Sequence, residues 1–304
     1  LRERFPDAWL GALVNSYNAP VLDGNPDLDS VFVYTKAKHR GTDESFARIM
    51  WARWKMMRQL RAMRLDDVII ATTSPQPRVV RQARWLNPKR VIAFGHSNAD
   101  VELPTQASLH EVEDVFRAAS IFGIEVTPPR TFINCLTQRD PSTIAIHISA
   151  RKPSQRWPAA RFVELMRALH ECNRALTFVL LWSPGASDDP RHPGDDAKAA
   201  EITTALGKEF PVTPMATTTL SELIQRLASC GAMICADGGA MHIGAALGLP
   251  IVALFGDSNA TRWRPWAVPQ RVLQAPSRNV SDISVAEVAN AFSELIPDTQ
   301  APNA

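Results

Sequence analysis

The feature that most constrains the fold is a pair of short apolar runs joined by a glycine-rich turn and a helix of small residues. Ala232–Ala236 and Ile251–Phe255 have the length and composition of buried strands. Between them, residues 237–239 predict a turn, and Ala240–Leu247 predicts a compact helix that a Gly-Leu-Pro triplet ends. Strands joined through one helix in this way are parallel, with a right-handed crossover. The unit therefore predicts an α/β fold.

The turn of this unit has the chemistry of an anion site. Asp237 is able to cap the helix, and Gly238 and Gly239 would let another molecule approach the backbone closely. Free N–H groups at the start of the helix favour a phosphate. Taken alone, the unit fits equally well a core helix that Asp237 merely caps.

The rest of the chain continues the alternation of strands and helices, which indicates parallel α/β domains. Its 304 residues suit two domains. The polar stretch 137–142, which contains Pro141, marks a boundary, so we predict domains 1–138 and 139–304. The net charge of +2 argues against a nucleic-acid partner. The sequence has no apolar run of about 18 residues, and its four cysteines lack metal-type spacing.

Four loops of the second predicted domain follow the carboxyl ends of predicted strands, where parallel sheets bind ligands. They are 148–157, 183–196, 237–239 and 256–263. Their side chains suit a nucleotide diphosphate, with hydroxyls and cations for the phosphates and polar groups for ligand hydroxyls. These side chains are Ser149, Ser154, Arg151, Lys152, Arg156, Asp237 and His242. The alternatives are a solvated basic loop and, for His242, a core histidine.

One predicted helix of the first domain, 45–63, is rich in arginine and tryptophan and contains no acidic residue. A solvated basic face is one interpretation. The other is peripheral contact with an anionic membrane, because tryptophan and arginine suit a lipid interface.

Two stretches of the chain resemble the lipopolysaccharide heptosyltransferases, glycosyltransferase family 9. Ile146–Phe162 is similar to the "HPGAS…PSKRWP…F" segment of that family. Asp237–Ile243, followed by Pro250–Gly256, is similar to its "DSGLMHIAAALG.PVVALFG" motif. Weaker similarity at 5–26 and at 110–124 extends the resemblance over nearly the whole chain.

The resemblance implies a GT-B fold, in which two Rossmann-like domains face each other across a cleft. It implies an acceptor-side domain at 1–138 that lacks its first strand, and a nucleotide-sugar-binding domain at 139–304 whose last helix packs back on the first domain. It further implies an inverting, metal-independent transfer of heptose from ADP-heptose to the lipopolysaccharide inner core. No cofactor is implied, and the expected location is the cytoplasm, peripheral on the inner face of the inner membrane.

The resemblance also carries over a set of donor-binding residues. These are Ser149, Ala150, Lys152, Ser154, Arg156, Asp237, Gly238, Gly239, Ala240 and His242, with Gly238 and Ala240 acting through backbone N–H groups. The family's lysine in "PSKRW" is Gln155 here, so either Arg156 or Lys152 supplies the cation or the phosphate is held more weakly. The 183–196 loop differs from the family's short form, in which an acidic residue reaches the donor. The candidates here are Asp188, Asp189, Asp195 and Asp196, and the alternative is a solvated insertion.

No catalytic residue is assigned, because the family's general base is an aspartate in a Gly-Asp turn that we expect upstream of Leu1. Two other functions fit the same features. One is a GT-B nucleotide-sugar 2-epimerase, and the other is a catalytically inactive relative that binds a nucleotide sugar.

Overall fold

The computed structural model describes residues 1–35, 45–95, 97–189 and 193–296. The chain forms two compact units, Leu1–Pro128 and Pro129–Ala304. The predicted boundary at 138/139 lies inside the second unit, because the segment before it is bonded there. Trp266 Nε1 donates to the Pro129 carbonyl over 3.0 Å, and Ile133 N donates to the Ala246 carbonyl over 3.2 Å.

The first unit contains parallel strands in two groups. Its strands are β1 (Gly11–Asn15), β2 (Ser30–Tyr34), β3 (Asp67–Ile69), β4 (Arg90–Phe94) and β5 (Val101–Leu103). β1 pairs with β2, and the other group has the order β3-β4-β5. Its α-helices are α1 (Phe46–Ala62), α2 (Pro77–Trp85) and α3 (Glu111–Phe116), the last continuing as a 3-10 helix over Arg117–Phe122. Gly123 ends that helix in the left-handed conformation, with φ 71°, as its position predicts.

The second unit is built on a six-stranded parallel sheet. Its strands are β6 (Asp140–His147), β7 (Thr177–Trp182), β8 (Val212–Ala216), β9 (Cys230–Ala236), β10 (Ile251–Phe255) and β11 (Gln270–Gln274). Its α-helices are α4 (Ala159–Cys172), α5 (Asp196–Leu206), α6 (Leu220–Ala228), α7 (Gly239–Ala246), α8 (Ala260–Trp263) and α9 (Val285–Leu295). The strand order is β11-β10-β9-β6-β7-β8, and every pairing is parallel. The predicted α/β class is therefore confirmed.

The core of the second unit explains why its central strands read as continuous apolar runs. Every residue of β10 is buried, and β9 is buried at all but one position. Helices cover both faces of a parallel sheet, so no strand face needs polar side chains. The last helix, α9, packs against α4, β10 and β11 of the same unit.

None of the helices in the described ranges is both long enough and apolar enough to cross a membrane.

Candidate functional site

The strand order of the second unit places its loops around a topological switch point. From β6 the chain runs outward through β7 to β8, and then returns to place β9 on the other side of β6. His147, at the end of β6, is paired in register with Cys235 of β9. Ligands of open α/β sheets bind where the strand order reverses in this way. The four predicted loops follow the adjacent strands β10, β9, β6 and β7, so their predicted convergence on one edge is confirmed.

Hydrogen bonds join these loops to one another. Gln155, only 6% exposed, donates from Nε2 to Asp237 Oδ2 over 2.9 Å and to Ser258 Oγ over 2.8 Å. It therefore ties together the loops that follow β6, β9 and β10. Ser183 N donates to Ser149 Oγ over 2.9 Å, which attaches the loop after β7 to the same group.

Gly256 shows how tightly two of these loops are packed. A Cβ built on Gly256 would lie 2.4 Å from the Ser154 carbonyl oxygen and 2.8 Å from its carbonyl carbon. Both atoms belong to the backbone, so a side chain at this position would push the loops apart. Because Gly256 has no side chain, the backbone of Ser154 can lie directly against the end of β10.

The start of α7 is open. Its N-cap residue is Gly238, in extended backbone at φ 167°, and no side chain of the described residues caps the helix. A Cβ built on Gly238 or on Gly239 would meet no heavy atom within 4 Å in the described parts of the chain, apart from its own neighbours. Asp237 is not the cap that the sequence suggested, because the N-cap position is Gly238 and the Asp237 carboxylate accepts from Gln155. The start of α7 is therefore exposed and uncrowded at Gly238 and Gly239, as binding of an anion to its first N–H groups would require.

Three cationic side chains lie on the loop edge near the end of β6. Lys152 Nζ forms an ion pair with Asp257 Oδ1 at 3.0 Å, and Arg156 Nε donates to the Ala150 carbonyl over 3.0 Å. The third is Lys198 of α5, which sequence reasoning missed. Its Nζ donates to the Ile148 carbonyl over 3.2 Å and lies 4.9 Å from the centre of the Phe162 ring.

The surroundings of Lys198 shift its titration and that of a neighbouring histidine. Burial, the largest influence, lowers the pKa of Lys198 to about 8; the Asp195 carboxylate opposes this shift and the Arg156 guanidinium adds to it. Burial likewise lowers the pKa of His147 to about 4, with a further contribution from the Lys198 charge. At neutral pH, Lys198 is therefore mainly a cation and His147 is neutral.

The acidic candidates of the 183–196 loop separate by their contacts. Asp196 accepts from Trp182 Nε1 over 2.7 Å and from Gly185 N over 2.9 Å, so it closes the loop on itself. Asp195 is 3% exposed, and its Oδ2 has no hydrogen-bond partner among the described residues. Asp188 is exposed and Asp189 is half-buried. Positions 190–192 of this loop lie outside the described residues.

His242 lies on α7 and is half-buried, with its ring 6.2 Å from the centre of the Trp263 ring in an edge-to-face arrangement. Ala240 precedes it in the first turn of the same helix. Within the described ranges, no three His, Cys, Asp or Glu side chains are grouped so that they could hold a metal ion.

The structure therefore gathers the predicted residues at one edge of the second sheet. Ser149, Ala150, Lys152, Ser154 and Arg156 lie in the loop after β6, while Asp237, Gly238 and Gly239 lie at the start of α7. Sequence reasoning missed Lys198 and the bridging contacts of Gln155. The signal that could have found Lys198 is its position in the first turn of a helix that follows a site loop.

These features define an α/β protein whose parallel sheet carries an open, basic loop edge at a switch point. The sequence matches the profile of glycosyltransferase family 9 (heptosyltransferase) over residues 53–289, and the chain belongs to that family.

Individual relatives agree with this assignment. Lipopolysaccharide heptosyltransferase 3 of Escherichia coli is 24% identical over an alignment 336 positions long, which covers 98% of this chain and 94% of the relative. The solved structure of E. coli ADP-heptose LPS heptosyltransferase II matches with a TM-score of 0.76 at 19% identity, covering 98% of this chain and 92% of that one. E. coli heptosyltransferase WaaC with ADP matches with a TM-score of 0.68 at 16% identity, covering 95% and 100%. The fold is thus of the GT-B type.

Proposed function

We propose that this protein transfers a heptose from ADP-heptose to the inner core of lipopolysaccharide, with inversion at the anomeric carbon. The observation that carries the proposal is the open start of α7, held at the switch point by the bonds from Gln155 to Asp237 and Ser258. Family membership and the names of the relatives, which include lipopolysaccharide heptosyltransferases, support the choice of sugar and acceptor. One matched structure is described with ADP.

The donor diphosphate would lie against the first N–H groups of α7. Backbone N–H groups and the helix dipole favour a phosphate there, and Gly238 and Gly239 leave room for it. Lys152, Arg156 and Lys198 supply positive charge at the same edge. Gln155 holds Asp237 in place, and we propose that Asp237 and His242 contact hydroxyl groups of the donor.

The chemistry of the transfer sets what these residues must do. The bond between the anomeric carbon and the donor phosphate breaks, the acceptor hydroxyl oxygen bonds to that carbon, and ADP leaves with the electron pair. Cations and helix N–H groups stabilise the charge that develops on the leaving group. The proton of the acceptor hydroxyl goes to a general base, and the resemblance to the family implies an aspartate in that role.

We further propose a division of labour between the first unit, Leu1–Pro128, which holds the lipid-linked acceptor, and the second unit, Pro129–Ala304, which holds the donor. Because the acceptor is anchored in a bilayer, the protein would work at the inner face of the inner membrane.

The direct test is a transfer assay with ADP-heptose and a heptose-deficient core acceptor lipid, read by mass spectrometry of the lipid. It is run with the 304-residue chain and with any longer protein that the coding sequence encodes in frame upstream of Leu1. Gain of one heptose by the lipid, with release of ADP, supports the proposal. Release of an altered free sugar would instead indicate an epimerase. Donor binding without any turnover in both versions would indicate an inactive relative.

A further inference from the structure

Helix α1 of the first unit has an outer face that combines large apolar side chains with positive charge. Its inner stripe, with Leu60 buried and Ile49, Met56 and Met57 half-buried, packs toward the unit. The opposite side exposes Met50 by 44%, Trp51 by 61% and Trp54 by 50%. Two indole rings left this exposed on adjacent turns of one helix are uncommon on a surface that contacts only water.

The charged side chains that α1 and α2 carry all have one sign. Neither α1 nor α2 contains an aspartate or a glutamate. The helices contact each other, because Arg53 donates to Gln82 Oε1 over 3.2 Å and Arg61 donates to the Trp85 carbonyl. Trp85 adds a third indole, 42% exposed. The basic residues of the two helices are Arg48, Arg53, Lys55, Arg58, Arg61, Arg78, Arg81 and Arg84.

The positive groups of α1 lie beside the indole rings. Lys55 Nζ is 5.6 Å from the centre of the Trp51 ring, and the Arg58 guanidinium carbon is 4.9 Å from the centre of the Trp54 ring. Within the described ranges, neither Lys55 nor Arg58 forms an ion pair with a carboxylate. Each of these two indole rings thus has a cation beside it, and neither α1 nor α2 carries an acidic group that could neutralise the cations.

We propose that this basic aromatic surface, formed by Met50, Trp51, Trp54, Lys55, Arg58 and Trp85, docks the protein on an anionic phospholipid bilayer. At the depth of the headgroups, indole rings enter the apolar boundary while lysine and arginine contact lipid phosphates. Each basic side chain near an anionic surface strengthens the attachment. The surface contains the two components that such an interface needs.

A protein or a nucleic acid fits this surface less well. The core of a protein interface is apolar and depleted of charge, whereas here the indoles alternate with cations over the whole face. A nucleic-acid site relies on an extended basic field, and the net charge of the chain is only +2. An anionic membrane is therefore the partner that this surface fits best. Docking on a membrane does not depend on which sugar the second unit transfers.

The test is vesicle flotation with the 304-residue chain, without any sugar donor. Vesicles of phosphatidylcholine alone are compared with vesicles that contain phosphatidylglycerol as the anionic lipid, at low and at high salt. The charge variant K55Q/R58Q removes two exposed cations, and the aromatic variant W51A/W54A removes two indoles. The control variant R174Q/K208Q removes the same charge from exposed positions of the second unit. Thermal melts confirm that each variant is folded.

We expect the chain to bind the anionic vesicles and to bind neutral vesicles much more weakly. K55Q/R58Q should weaken the anionic partition by roughly 30-fold at low salt, and by less at high salt, where charges are screened. W51A/W54A should weaken binding at both salt concentrations, because insertion of apolar rings is not screened. R174Q/K208Q should bind like the parent chain.

Several results would overturn the proposal. One is equal binding of the parent chain to neutral and anionic vesicles. Another is a loss of anionic-vesicle binding in R174Q/K208Q as large as the loss in K55Q/R58Q. The proposal also fails if K55Q/R58Q and W51A/W54A bind vesicles like the parent chain but lose self-association or RNA binding.

Discussion

Replacing Gly238 with alanine separates the fold of α7 from its ability to bind a phosphate. Gly238 is extended at φ 167°, a conformation open to any residue, and a Cβ there meets no heavy atom within 4 Å among the described residues. The new methyl group would therefore project into the open volume at the start of the helix. Under the proposed function, that volume holds the donor diphosphate.

The two expected magnitudes differ. Alanine is a poorer N-cap than glycine by up to about 1 kcal/mol. It also lowers the conformational entropy of the unfolded chain, which stabilises the folded state by about 0.4–1 kcal/mol. The free energy of unfolding should therefore change by less than about 1 kcal/mol, and Tm by no more than roughly 4 °C. Displacing one charge-assisted hydrogen bond to a phosphate costs about 1.5–3 kcal/mol. The Kd for ADP should then rise by roughly 10- to 150-fold.

Calorimetric titration with ADP, paired with a thermal melt, measures both quantities on the same protein. Gly256→Ala is the contrasting control, because its Cβ would lie 2.4 Å from the Ser154 carbonyl oxygen. That variant should lose about 1–3 kcal/mol of stability together with ADP affinity. A folded Gly238→Ala protein that binds ADP as tightly as the parent would refute the placement of the diphosphate at α7.

Two further variants test the residues around the start of α7. Gln155→Ala removes the donors to Asp237 and Ser258, and should lower the free energy of unfolding by about 1–3 kcal/mol and weaken ADP binding. Gln155→Lys, which keeps a donor beside Asp237, should retain ADP affinity; unchanged melts and titrations for Gln155→Ala would contradict this role. Burial lowers the pKa of Lys198 to about 8, so the amine is half protonated near pH 8. A bound diphosphate should raise this pKa again, and Lys198 should then take up about half a proton when ADP binds near pH 8. ADP affinity should therefore fall as pH rises through 8, whereas the contribution of Lys198 to stability should rise, since the folded state then holds fewer protons than the unfolded state. Calorimetry in buffers of different ionisation enthalpy measures the uptake, and an equal uptake in Lys198→Met would exclude this lysine as its source.

The elements that sequence patterns predict are those with strong local signals. The strand β10 matches the predicted range Ile251–Phe255 at both ends, because it is an apolar run bounded by turn residues. The strands β5 and β11 were missed. β5 has only three residues, and β11 is an edge strand whose Gln-Arg-Val-Leu-Gln sequence is half exposed. Edge strands are stabilised by the neighbouring strand, which the local sequence does not contain.

The candidate site was predictable in its location and not in its contacts. Parallel strands with short loops place 148–157 and 237–239 at one edge, and this follows from the strand pattern. The bonds from Gln155 to Asp237 and Ser258 join residues far apart in sequence, and only the packed sheet brings them together. For the same reason the sequence could not show that Lys198 would lie against the end of β6.

The most direct test of the account is a crystal structure of the chain with ADP bound. The account predicts a phosphate oxygen within about 3 Å of the backbone nitrogen of Gly239 or Ala240, with Lys198 on the same side of the ligand. ADP bound at a different edge of the sheet, or a start of α7 that the protein's own side chains fill in the complex, would contradict it.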